Sequence, residues 1–111
     1  KFKKNFFDLI LILHPDPWPK KKHKKRRLIQ QKFLDDINQV LKHEGKLIIS
    51  TDHNVMKSWV LEHLHIRKDF LWIRNGYYYT NIKPKWIINT KYSNKALKDK
   101  KVVNWFFFKK K

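Results

Sequence analysis

An aspartate held between two prolines, with a tryptophan beside it and a run of cations behind it, is the segment of this 111-residue chain best equipped for chemistry. The residues are Pro15-Asp16-Pro17-Trp18-Pro19, followed by the block Lys20–Arg27, which holds seven basic residues and His23. Proline fixes its own φ and restricts the residue before it, so Asp16 is a carboxylate on a stiff loop. A carboxylate so held can accept hydrogen bonds from the N1–H and exocyclic amine of guanine, with Trp18 as a stacking surface. The competing role for Asp16 is turn-making. Asp52 is the second candidate; it reads equally well as the N-cap of the segment that follows it. The basic block can hold phosphate or can be only a solvated face.

Other chemistries are excluded. No cysteine is present, which removes disulfides, thiolate zinc sites and thiol catalysis. The six histidines make no metal-ligand pattern; His63 and His65 stand two apart and do not share a helical face. The only glycines, Gly45 and Gly76, are too far apart for a glycine-rich phosphate or dinucleotide loop. The net charge is +18, from 27 basic and 9 acidic residues, which favours a polyanion such as nucleic acid. Most of those cations are Lys, in a chain also rich in Ile, Asn, Phe and Tyr with one Ala. That usage is expected of an A+T-rich coding sequence, so only clustered charge carries meaning. A membrane partner is not expected, because no exposed apolar helix face adjoins the basic block.

The elements that must position these groups follow from hydrophobic spacing. Lys1–Leu13 has basic residues ahead of an apolar run, but Asp8 interrupts it and no small-residue cleavage site follows, so a signal peptide is not expected and a cytoplasmic location is. The absence of an initiator Met suggests a start within a longer reading frame. Phe6–Leu13 predicts a strand buried on both faces, as in a parallel sheet. Apolar positions from Leu28 to Leu41 recur every three or four residues and predict a helix over about 25–42, with Gly45 as its stop. A strand is expected over 46–51 and a helix over about 53–64. The region 69–109 reads as β-rich, with Phe70–Arg74 and Tyr77–Asn81 flanking the hairpin dipeptide Asn75-Gly76. Ile87-Ile88 and Val102–Phe108 are further strand candidates, and Lys109–Lys111 reads as a basic tail. Strand–helix–strand–helix order predicts a right-handed parallel unit in one compact α/β domain. If its strands are neighbours, Asp16 and Asp52 share the rim at their carboxyl ends, where open α/β sheets bind ligands.

The stretch Leu13–Leu28, with its Pro-Asp-Pro-Trp loop, lysines, His23 and Lys25-Arg26-Arg27, resembles the signature of the tRNA (guanine-N7)-methyltransferase family. The resemblance continues through Gln30–Leu41 and Gly45, then Ser50-Thr51-Asp52, and on to Thr90-Lys91-Tyr92. It implies the C-terminal half of a Rossmann-like, S-adenosylmethionine-dependent methyltransferase, with residues 1–111 as one partial domain. Phe6–Leu13 would be the fourth strand of that sheet, left with an open edge. The implied reaction is methyl transfer from S-adenosylmethionine to N7 of a guanine in the tRNA variable loop. Asp16 matches the catalytic position, lying against both cofactor and target base. Lys20, Asp52 and Thr90-Lys91-Tyr92-Ser93 match substrate-binding positions, and Lys22, His23, Lys24, Lys25, Arg26 and Arg27 match the RNA-binding segment. The implied partner is tRNA, and the N-terminal half is expected either in a longer chain or as a separately encoded polypeptide.

Departures from the family pattern are specific. Ser93 stands where the family has Glu, and Val102-Val103-Asn104 where it has Val-Trp-Asp. The glycine-rich cofactor loop and the acids that hold ribose and adenine are not among these residues. Three readings therefore stand side by side: a piece of a methyltransferase that is inactive alone, a non-catalytic remnant, and a small basic RNA-binding protein.

Overall fold

In the computed structural model, residues 3–73 and 102–111 are described. Among them the chain order is β1 (Phe7–Leu13), a 3-10 turn (Lys21–Arg26), α1 (Gln31–Val40), β2 (Leu41–Thr51), α2 (Asn54–His65), β3 (Phe70–Trp72) and β4 (Asn104–Lys110). The proposed hairpin at Asn75-Gly76, the strands Tyr77–Asn81 and Ile87-Ile88, and Thr90–Ser93 lie outside the described residues. The four strands form one mixed sheet in the order β1-β2-β4-β3. β1 runs parallel to β2, from Leu9 opposite Lys46 to Leu13 opposite Ser50. β4 is antiparallel to both β2 and β3. The α/β class and the first parallel pair follow the sequence reading.

Alternation sorts the strands into two faces. Leu47 and Ile49 of β2, with Phe106 and Phe108 of β4, share a core with Leu34 and Ile37 of α1 and Met56, Val60 and Leu64 of α2. The opposite face carries a smaller cluster around Ile48 and Trp105. Both helices feed the first core. In consequence β1 is buried on one face only: Ile12 is buried, whereas Leu9 and Leu11 are 37% and 39% exposed. The expected burial on both faces is thus corrected, because the helices described here cover a single face of this edge strand.

Three further boundaries differ from expectation, each because of contacts with residues distant in sequence. The helix expected over 25–42 is a 3-10 turn and a separate α-helix, with Arg27 and Gln30 both extended between them. Ile29 is fully buried there, and its carbonyl accepts the Trp59 indole N–H at 2.6 Å, which holds the break open. The Gln30 amide donates to the carbonyls of Lys24 and Arg27 across the same break. Lys109 and Lys110, expected in a tail, pair within β4, and the Lys110 ammonium donates to the Leu41 carbonyl at 2.9 Å.

Gly45 is not a helix stop. α1 ends at Val40 and β2 begins at once, with a register shift between Phe7 and Leu9 that leaves extra residues on β2. A Cβ on Gly45 would stand 2.7 Å from the Lys42 carbonyl oxygen and 3.1 Å from that of Phe7, so the bulge needs glycine for its close backbone approach. Gly45→Ala is expected to cost about 1–3 kcal/mol, as overpacking does. A urea midpoint equal to that of the unsubstituted chain would refute this.

The end of α2 is locked to α1. Arg67 forms a two-bond fork with Asp69, at 2.9 and 2.6 Å, and reaches Asp35 of α1 at 2.6 Å. The Asp69 hydrogen bonds raise its pKa above the usual arginine value, with Asp35 adding to them. Among the described residues no helix is long and apolar enough to cross a membrane.

Candidate functional site

The site is the rim at the carboxyl ends of β1 and β2. Because Leu13 lies opposite Ser50 and the His14 N–H donates to the Ser50 carbonyl at 2.9 Å, the Asp16 and Asp52 loops leave the sheet side by side. The sequence required only that the two strands be neighbours for this to hold, and they are.

The Pro15–Pro19 loop is strained and clamped. His14 at φ 51° and Trp18 at φ 40° both occupy the left-handed region, which costs a side-chain-bearing residue about 1–2 kcal/mol. Such strain persists only where the surroundings over-determine it, and here Arg27 does so. Its Nε donates to the Pro17 and Trp18 carbonyls at 3.1 and 3.2 Å, and its Nη2 to the Trp18 carbonyl at 3.1 Å. The same guanidinium lies 4.4 Å from the centre of the Trp59 ring on α2. Arg27 is 7% exposed. One buried planar cation therefore ties the loop to α2.

Asp16 is exposed within this clamped loop. Its Oδ1 accepts the Trp18 backbone N–H at 3.2 Å, the local turn that aspartate commonly makes. The turn-making and ligand-binding roles are thus compatible: Oδ1 shapes the loop, and the residue as a whole remains exposed. Trp18 is itself flanked, with Arg26 5.0 Å from its ring centre and His23 edge-on at 5.6 Å.

Asp52 is not the cap of α2, which corrects that reading. The N-cap is His53, whose Nδ1 accepts the Val55 N–H at 3.1 Å, and whose own N–H donates to Thr51 Oγ1 at 3.1 Å. A histidine cap requires the neutral tautomer protonated at Nε2. Asp52 is thereby left at the rim, half-buried and close enough to His14 for their charges to interact.

Burial pushes the His14 imidazole below its ordinary pKa of 6.5, while the Asp52 charge pulls it partly back. The unfolded chain then binds this proton more readily than the folded one, so stability is full above about pH 6.5 and is lost as the pH falls below it. Asparagine tolerates φ 51°, so His14→Asn should fold and should lose less stability than the unsubstituted chain between pH 7.5 and 5.5. Equal losses in urea melts at those two pH values would sink the assignment.

The other expected site residues divide by accessibility. Lys20, Lys22, Lys24, Lys25 and Arg26 are exposed, His23 is half-buried against Trp18, and Arg27 alone is turned inward. A charge run in sequence does not distinguish the one cation that will be buried. His53, Trp59 and the clamp carried no sequence signal. The rim also holds an unmet polar atom, the Ser50 hydroxyl, buried at the end of β2 without a hydrogen-bond partner among the described residues. No group of three or more His, Asp or Glu able to hold a metal stands among the described residues.

The arrangement is that of an α/β protein with two carboxylates at one sheet rim and a basic turn adjoining it. Comparison with known proteins gives the class a name. The family model Methyltransf_4, described as "Putative methyltransferase", matches residues 1–105. The chain belongs to this methyltransferase family. It is 32% identical over 105 residues to a tRNA (guanine-N(7)-)-methyltransferase of Wolbachia pipientis wMel, covering 95% of this chain and 44% of that protein. A protein of the same name from Bartonella quintana is 37% identical over 105 residues, with 94% and 45% covered. One from Rhodospirillum rubrum is 31% identical over 102 residues, with 92% and 40% covered. The chain spans less than half the length of these relatives.

Methyltransferases of this kind draw on S-adenosylmethionine, and the residues described fit only part of a site for it. Asp16 Oδ2 and the unmet Ser50 hydroxyl offer polar atoms at the rim. No cradle of backbone N–H groups accompanies them among the described residues, and Gly45 is spent on the β2 bulge.

Proposed function

We propose that this chain is the acceptor-binding, C-terminal half of a Rossmann-like tRNA (guanine-N7)-methyltransferase. The cofactor half is supplied by further residues of the same polypeptide or by a separate one. S-adenosylmethionine would supply an electrophilic methyl group; this chain's residues bind and orient its target. Asp16 Oδ2 accepts from the N1–H and amine of guanine, and Trp18 offers an apolar face beside it. Guanine N7 already carries a lone pair, so no residue need remove a proton from it, and positioning supplies much of the rate. The base gains positive charge as it is methylated, and a fixed carboxylate stabilises that charge. Asp16 is accordingly an orienting and electrostatic group. Lys20 and the exposed cations of the 3-10 turn hold RNA phosphate, a contact that positions without reading sequence.

The observation that carries this reading is the Arg27 clamp, which fixes an otherwise strained Pro-Asp-Pro-Trp loop at the rim shared with Asp52. The names of the relatives add the substrate and the atom. The test is incubation of the native polypeptide with tRNA and radiolabelled S-adenosylmethionine, followed by borohydride–aniline cleavage at 7-methylguanine. Cleavage at a variable-loop guanine is expected; an unlabelled tRNA, or label on another atom, overturns the proposal.

Ser93 in place of the family's Glu favours a second reading, a non-catalytic RNA-binding protein. That protein would bind tRNA with its affinity indifferent to Asp16 and would transfer no methyl group.

A further inference from the structure

Between the 3-10 turn and α2 the surface opens into a groove of about 620 Å³. Lys21 and Lys24 line one side and Asn54, Ser58 and Glu62 the other. Residues 54, 58 and 62 recur every four positions, so they form one stripe along α2. All five side chains are exposed, and neither lysine enters an ion pair among the described residues. Pro19, at the end of the Asp16 loop, also lines the groove, and Asn54 follows the Asp52 turn directly. The groove therefore begins at the rim and leads away from it along α2.

The groove sets two cations beside the amide of Asn54 and the hydroxyl of Ser58, donors suited to the oxygens of a phosphodiester. Glu62, one turn beyond Ser58 on α2, repels phosphate and accepts from a hydroxyl or amine. A strand of RNA carries both kinds of group, phosphate and a ribose 2′-hydroxyl or a base edge. We infer that this groove holds the RNA backbone adjoining the target nucleotide, with Asn54 and Ser58 of α2 as substrate-positioning residues opposite Lys21 and Lys24. The inference rests on the proposed tRNA reading and adds to it a wall of the binding surface that the basic run alone does not reveal.

The experiment measures binding of labelled tRNA and of a labelled oligouridine to the full chain by fluorescence anisotropy at fixed salt. Ser58→Asp and Asn54→Asp each place a carboxylate in the groove at an exposed helix position, and Lys21→Ala removes a cation from the other wall. Lys46→Gln is the control: it lowers the net charge by the same single unit at an exposed position in the middle of β2, five residues before Thr51 at the rim. Far-UV circular dichroism verifies that each variant is folded. The groove variants are expected to weaken tRNA binding about fivefold to tenfold, with Lys46→Gln within about twofold of the unsubstituted chain. Groove variants that bind like Lys46→Gln would overturn the inference, and a preference of the unsubstituted chain for tRNA would then leave the tRNA reading intact. If the groove variants lose affinity for both ligands and the chain never prefers tRNA, the groove stands and the tRNA reading falls. Absence of binding to either RNA at low salt overturns both.

Discussion

Replacing Asp16 by asparagine should lower methyl transfer by about 10²–10³-fold, the usual cost of removing one preorganised electrostatic group from a reaction centre. Asparagine keeps an oxygen for the Trp18 N–H, so the loop turn survives. What changes is the other atom: it becomes an amide NH2, a donor, so guanine's two donors lose an acceptor and the carboxylate's charge is gone. Asp16→Ala removes the turn contact as well and should do at least as much damage. The two variants together separate the roles of the carboxylate. If Asp16→Asn keeps its activity and Asp16→Ala loses it, the side chain only makes a turn. Affinity for tRNA should stay within about threefold in both, since phosphate contacts supply most of it. A large loss of affinity with an unchanged rate of transfer would move Asp16 from the reacting base to general RNA binding.

Arg27→Ala should destabilise the fold by about 2–4 kcal/mol, because it removes a buried charged donor from two loop carbonyls and a cation from the face of Trp59. Arg27→Lys should recover less than half of this. A lysine is a point charge on a flexible stem and cannot span both carbonyls while lying flat on the indole. The measurement is urea unfolding, read by tryptophan fluorescence with circular dichroism alongside. The sequence-based assignment of Arg27 to the RNA-binding segment makes the opposite forecast. A phosphate contact would leave the urea midpoint unchanged, would flatten the salt dependence of RNA binding, and would be largely rescued by lysine. The burial and donor geometry of Arg27 favour the first outcome.

The two experiments also bear on each other. The strain at Trp18 is held by the clamp on the Pro17 and Trp18 carbonyls, so Arg27→Ala should let the loop relax and displace Asp16. Methyl transfer should fall with stability in that variant, whereas Asp16→Asn should lower transfer with stability kept.

Much of the site was legible from the chain alone because its causes are local. Prolines on both sides of Asp16 stiffen the loop whatever surrounds it. Apolar runs broken by prolines and followed by three-and-four spacing specify strand and helix in alternation, which puts Asp16 and Asp52 each at the carboxyl end of a strand. The basic turn follows that loop directly in sequence, so its place beside the rim needed no tertiary information. The Pro-Asp-Pro-Trp and Lys-Arg-Arg combination carried the family.

Other features depend on contacts between distant residues, and only the tertiary structure decides them. Local spacing could not tell that the periodic segment from Leu28 breaks before Gln31, because the break is held by Trp59, thirty residues away from Ile29. Nor could it choose among the cations of Lys20–Arg27: their chemistry is alike, and burial of Arg27 is set by carbonyls ten and nine residues back and by a ring on α2. Asp52 and His53 compete for one cap, and the winner is whichever side chain the strand exit aims at Val55. Gly45 looked like a helix stop because glycine serves both stops and bulges, and only the approach of the Phe7 and Lys42 carbonyls distinguishes them. Sequence determined which groups are available, and the pairing of β1 with β2 set the rim they share. Packing determined which of them are consumed in holding the loop and which remain free to meet a substrate.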